Sequence, residues 1–88
     1  MYYVYLIITL GSNNTKTYVG YTNNLKKRIL KHNEGKGAKS TRGYKWKVIF
    51  KKKFQKKTKA MKYEYFLKKN RKLRKKITSK YYDKYSNF

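Results

Sequence analysis

The chain has 88 residues, with 26 Lys+Arg against 3 Asp+Glu, a formal net charge of +23, one histidine and no cysteine. That length allows one domain with one small core, and the composition excludes a disulfide framework, cysteine-ligated zinc and a histidine-rich metal site. A fold this cationic repels itself unless a polyanion offsets it, so nucleic acid is the expected partner. AT-rich coding accounts for part of the lysine excess but not for the scarcity of acids.

The chain opens on "YYVYLIITL", residues 2–10, rich in aromatic and β-branched types that favour a strand. Its alternation places Tyr3, Tyr5 and Ile7 on one face and Val4, Leu6 and Ile8 on the other. With both faces apolar, the strand is expected at the centre of its sheet. The segment is too short to span a bilayer and lacks the basic leader and cleavage site of a signal peptide. No basic amphipathic helix with a broad apolar face suggests a membrane surface. The expectation is an intracellular protein, cytoplasmic or nuclear. "GSNNTK", 11–16, is turn chemistry, and "TYVGY", 17–21, reads as the second arm of a hairpin with a long loop.

Thr22 or Asn23 can cap a helix that runs to about Glu34 and stops at Gly35. Leu25 and Ile29 form its core stripe, with Arg28 and His32 at the border of that stripe. "GKGAKSTRG", 35–43, is a loop carrying Lys36, Lys39 and Arg42 among three glycines. "WKVIFKKKF", 46–54, is a third strand, with Trp46, Val48 and Phe50 on one face and Ile49 on the other. From Thr58 the period is helical, and Ala60, Tyr63 and Leu67 mark a stripe that includes Glu64. A last helix over 71–80 is anchored by Leu73 and Ile77, and 81–88 reads as a tail. The order β-β-α-β-α-α makes an α+β domain over 1–80, a small mainly antiparallel three-stranded sheet flanked by helices.

The carboxylates limit the chemistry. Glu34, Glu64 and Asp83 are the only ones, too few for a two-metal phosphodiesterase centre. Glu34 ends a helix and Asp83 lies in the tail, so both read as solvated charges. Glu64 sits on a core-facing stripe, where it needs a lysine partner or a metal. Arg28 can fork onto a phosphate, and His32 one turn later can move a proton near neutral pH. The plainer alternative is a basic helix face on the nucleic-acid backbone. A tyrosine can act as a base if cations or a metal lower its pKa, and the +23 field would act in that direction.

Taken together these pieces resemble the GIY-YIG endonuclease domain. "YVY", 3–5, and "YVG", 18–20, stand in for the two name triplets. "GYTNNLKKRILKHNEGKGAKSTRG", 20–43, is similar to small stand-alone members and to the nuclease subunit of Slx-type structure-specific endonucleases. "KAMKYEYFLKK", 59–69, resembles their acidic-residue helix.

The resemblance implies a metal-dependent DNA endonuclease, structure-selective or of low sequence specificity, using one Mg²⁺ or Mn²⁺ ion. Tyr5 and Tyr18 would line the site, Tyr5 being the first choice to activate water. Arg28 would contact the scissile phosphate, His32 would assist proton transfer, and Glu64 would be the sole protein ligand of the metal. Gly20 would permit close backbone approach. Lys36, Lys39, Thr41 and Arg42 would hold the DNA backbone, although their loop can also be read as a solvated connection.

The first triplet lacks its Gly and Ile, and Asn70 follows the glutamate too soon to equate with the family asparagine. No zinc domain follows, so the resemblance assigns no scaffold partner and no strict choice of branched DNA. Single-stranded DNA is a further candidate substrate, and RNA a lesser one. The competing reading is a non-catalytic cationic nucleic-acid-binding module of the same fold.

Overall fold

The computed structural model describes residues 1–11 and 15–85. The middle of the expected hairpin turn and the last three residues of the expected tail lie outside the described residues. Strand β1 (Tyr2–Leu10) is followed by β2 (Thr17–Thr22), helix α1 (Leu25–Asn33), a 3-10 turn at Lys39–Thr41, strand β3 (Lys45–Phe54), and helices α2 (Lys57–Lys69) and α3 (Arg71–Tyr85). The sheet is antiparallel in the order β2-β1-β3.

Strand β1 is central, as its two apolar faces require. Residues Val4 to Ile8 are all buried. On one face Val4 and Leu6 pack with Val19, Ala60 and Leu67 beneath α2, with Ile49, Phe50, Phe54, Leu73 and Ile77 around them. On the other face Tyr5, Ile7 and Trp46 pack with Tyr18, Leu25, Ile29 and Val48 beneath α1. Full burial of a large apolar side chain stabilises by about 1.5–3 kcal/mol, and both layers draw on this one strand.

Phe50 departs from the expected alternation. The β1–β3 register shifts between Leu6 and Ile7: Leu6 pairs with Phe50, and Ile7 pairs with Val48. Ile49 is the extra residue of a β-bulge, so Phe50 turns to the α2 face instead of joining Trp46 and Val48.

The first helix is capped one residue later than expected. Asn24 Oδ1 accepts from the Lys27 N–H at 3.1 Å, and Thr22 Oγ1 accepts from the Asn24 N–H at 3.1 Å. Gly35 ends the turn at φ 78°, a left-handed conformation open to glycine. Asn33 then ties α1 to β3, its Oδ1 accepting from the Trp46 N–H at 2.6 Å. Asn70 separates α2 from α3 and caps α3 through Oδ1, 3.0 Å from the Leu73 N–H. The helix continues past residue 80 to Tyr85. Contacts support it there: Lys47 Nζ lies 5.6 Å from the Tyr81 ring centre, and the Tyr82 hydroxyl is 3.3 Å from Thr15 Oγ1.

Candidate active site

Five candidate side chains come from four elements. Tyr5 projects from β1 and Tyr18 from β2, on the sheet face that α1 covers. Arg28 and His32 lie one turn apart on α1, and Glu64 is on α2. Tyr5 Oη is 2.8 Å from His32 Nε2, and both residues are 0% exposed. The Tyr18 ring completes the group, its centre 5.1 Å from that of His32 and 6.4 Å from that of Tyr5. His32 was expected at the border of its helix stripe. It is fully buried, because the loop after α1 folds back over it.

That loop defines the second half of the environment. His32 Nδ1 is 2.9 Å from Thr41 Oγ1, whose hydroxyl lies 2.8 Å from the Ala38 carbonyl oxygen. Thr41 is 0% exposed. It was expected on the DNA backbone, but its side chain is committed to His32 and Ala38. Lys36, Lys39 and Arg42 of the same loop remain exposed. Gly37, which sequence reasoning missed, lies against the imidazole. A Cβ there would sit 2.4 Å from His32 Nδ1. Its only sequence signal is a glycine with no helix to end.

Gly20 has a related role. A Cβ at this position would lie 2.4 Å from Tyr5 Oη and 2.6 Å from its Cζ. The group that approaches the backbone there is the Tyr5 phenol, so this strand position admits only glycine without a shift of that ring.

Electrostatics correct the expectation for Tyr5. Burial pushes its phenol up to about 12, outweighing the Arg28 guanidinium, which pulls it down by hydrogen bonding and charge. The Tyr18 and Glu64 charges add to the rise. Arg28 is held further toward its charged form, chiefly by its hydrogen bond to Tyr5, against the effect of its own burial. Burial, and then the Arg28 charge, lower the pKa of His32. At neutral pH the set is therefore a neutral phenol between a guanidinium and a neutral imidazole.

Glu64 is mostly buried, its side chain 16% exposed, and its Oε1 meets Lys68 Nζ at 3.1 Å one turn along α2. This is the lysine partner that the stripe position called for. An open cleft of about 280 Å³ exposes Arg28 to solvent between Tyr2, Tyr21, Thr22, Asn23 and Lys57. Lys57 lines the same cleft as Arg28, 29 positions away in the chain, which no local pattern reports. A larger open groove of about 830 Å³ runs between α1 and β3 and holds none of the five side chains. Of the five candidate side chains, Arg28 lines the smaller cleft.

The arrangement can bind a phosphate at Arg28 and can move a proton between Tyr5 and His32. Among the described residues no group of three or more His, Cys, Asp or Glu could cage a metal ion. A hard oxygen donor at Glu64 fits an ion that takes one protein ligand and fills its shell with water and phosphate oxygens, as Mg²⁺ does.

A family model for the GIY-YIG catalytic domain matches residues 1–81. The chain is 46% identical over 68 residues to UPF0213 protein OB0043 of Oceanobacillus iheyensis, covering 76% of each chain. It is 44% identical over 70 residues to UPF0213 protein CPE1444 of Clostridium perfringens, covering 78% of this chain and 72% of that one. UPF0213 protein YazA of Bacillus subtilis is 49% identical over 53 residues, 59% of this chain and 54% of that one. No solved structure gives a significant match. With the β-β-α-β-α-α order in place and the match running through nearly the whole fold, the chain belongs to the GIY-YIG family of nuclease domains.

Proposed function

We propose that the protein is a metal-dependent DNA endonuclease of low sequence specificity, in which Tyr5 and His32 activate water and Arg28 binds the scissile phosphate. The observation that carries this reading is the buried 2.8 Å contact between Tyr5 Oη and His32 Nε2, with Arg28 at the mouth of the same cluster.

Tyr5 is unsuited to act as a free phenolate, since its pKa stands at about 12. It suits a concerted hand-off instead. Its oxygen takes a proton from water while its own proton passes to neutral His32, so no free phenolate accumulates. Arg28 stays charged and forks onto the phosphate oxygens, where negative charge grows in the transition state. Tyr18 packs beside both the phenol and the imidazole. Glu64 would hold the divalent ion, in place of its present partner Lys68. A bound Mg²⁺ or Mn²⁺ would supply charge stabilisation at the phosphoryl oxygens. Lys36, Lys39, Arg42 and Lys57 would neutralise backbone phosphates on either side. The charge of +23 predicts steeply salt-dependent binding.

The test is a panel of labelled duplex, single-stranded, flap and junction DNA, incubated with Mg²⁺, Mn²⁺ or chelator beside the Glu64→Ala variant. Metal-dependent cutting by the wild type, lost in Glu64→Ala with DNA binding retained, is the expected result. Tight binding with no cutting under any metal would leave a cationic binding module on this fold.

A further inference from the structure

His32 has two ring nitrogens, and the hand-off from Tyr5 works with only one tautomer. Nε2 must be bare to take the phenol proton, which puts the imidazole proton on Nδ1. What faces Nδ1 therefore decides whether the pair can work. That group is Thr41, placed in the loop by three independent ties. Its N–H and its hydroxyl both reach the Ala38 carbonyl, at 3.0 and 2.8 Å. Its own carbonyl accepts from Trp46 Nε1 at 2.9 Å. Gly37 leaves room for the ring to reach it.

We infer that Thr41 is a positioning residue that holds the His32 proton on Nδ1 and so leaves Nε2 open to Tyr5. A threonine hydroxyl has one hydrogen. A carbonyl oxygen can only accept, so the hydrogen of Thr41 lies toward Ala38. The 2.9 Å contact then requires His32 Nδ1–H to donate to Thr41 Oγ1. The opposite tautomer would set two lone-pair oxygens 2.8 Å apart with no proton between them. At Nε2 the phenol O–H must donate, and the Tyr5 oxygen keeps lone pairs for Arg28 and for an incoming water.

The proton balance follows from this order. Water loses a proton to the Tyr5 oxygen as its own oxygen bonds to phosphorus. The Tyr5 proton passes to Nε2, and the ester oxygen leaves with the electron pair of the broken P–O bond and takes a proton from solvent. His32 becomes an imidazolium with both nitrogens protonated and returns its extra proton to solvent by way of Tyr5. The use of the path rests on the endonuclease reading; the order of the hydrogen bonds rests on the geometry alone.

The experiment combines nitrogen NMR of ¹⁵N-histidine-labelled protein at neutral pH with cleavage kinetics, on wild type, Thr41→Val and Thr41→Ser. With a single histidine, each spectrum reports one ring. Wild type and Thr41→Ser are expected to carry the proton on Nδ1 and to cut alike. Thr41→Val is expected to move it to Nε2 and to lose about tenfold to a hundredfold in kcat, with DNA affinity unchanged. A wild-type ring protonated on Nε2 overturns the inference, even if the valine variant fails to fold. So does a folded Thr41→Val that changes tautomer and cuts at the wild-type rate. A wild type that cuts nothing overturns the endonuclease reading instead, and with it the use assigned to the path, while the spectrum still judges the hydrogen-bond order.

Discussion

The two faces of the central strand are built on different physics. Toward α2, Val4 and Leu6 meet Val19, Ala60 and Leu67 in a layer held by apolar burial. Toward α1, the adjacent Tyr5 meets His32, which meets Thr41, which is pinned by Ala38 and Trp46. Both layers hold fully buried side chains, and the second is joined by a chain of hydrogen bonds. An apolar layer tolerates a lost methyl group at a graded cost. A buried polar chain fails at any link, because the group left unpaired bears its full desolvation penalty. One strand thus carries an apolar layer and a hydrogen-bonded layer on opposite faces by alternation alone.

The sharpest test of that division is Tyr5→Phe, which keeps the ring and removes the proton. Cleavage should fall by about 10²–10⁴-fold while DNA binding holds. Single-turnover kinetics beside a binding titration would read both. Leu67→Ala probes the other face. It should lower unfolding free energy by about 2–5 kcal/mol in urea melts. The cleavage rate per folded molecule should stay near wild type, and a large drop would mean that the faces are coupled.

Gly20→Ala falls between these cases. Its Cβ must push against the Tyr5 phenol, and the strain should cost about 1–3 kcal/mol together with much of the activity. A comparison of melting and cleavage would show whether the ring or the backbone gives way.

A pH series sharpens the comparison further. The folded pKa of His32 lies below the ordinary 6.5, chiefly through burial and then through Arg28. Cleavage should therefore be lost on the acid side with a midpoint below 6.5. Stability has the same sign. Just below 6.5 the unfolded chain binds more protons than the fold, so the contribution of His32 is full above that value. It declines as pH falls toward the folded midpoint and levels off beneath it. Denaturant melts of wild type and His32→Gln across this window would isolate the effect.

The smallest effects belong to the exposed loop cations. Lys39→Ala and Arg42→Ala should each weaken DNA binding and reduce the salt slope by about one. Tyr5 chemistry should be untouched once DNA is saturating.

Much of this fold was legible from local pattern. The two-sided apolar run at residues 2–10 announced a central strand, and the glycine after Glu34 announced the end of α1. Leu25 and Ile29 marked the inner face of α1. Glu64 stood out as a carboxylate on a core stripe, and its partial burial and ion pair agree with that reading. Phe50 was misread because a bulge inserts one residue, and period-two counting cannot detect an insertion. Thr41 was misread because a threonine among cations looks like a backbone contact. The sign of the Tyr5 shift was misread because net charge is visible in composition and desolvation is not.

The sequence by itself determined the element order, the central place of β1, the cationic character and the shortage of carboxylates. These follow from periodicity, propensity and counting, which are local or additive properties of a chain. Tertiary structure alone decided that Thr41 faces His32, that Gly37 makes room for the ring, that Lys57 lines the same cleft as Arg28, and that the phenol is harder to ionise than in water. Each depends on how a loop or helix returns to a surface formed elsewhere in the chain. Distance and desolvation there are set by the packed whole.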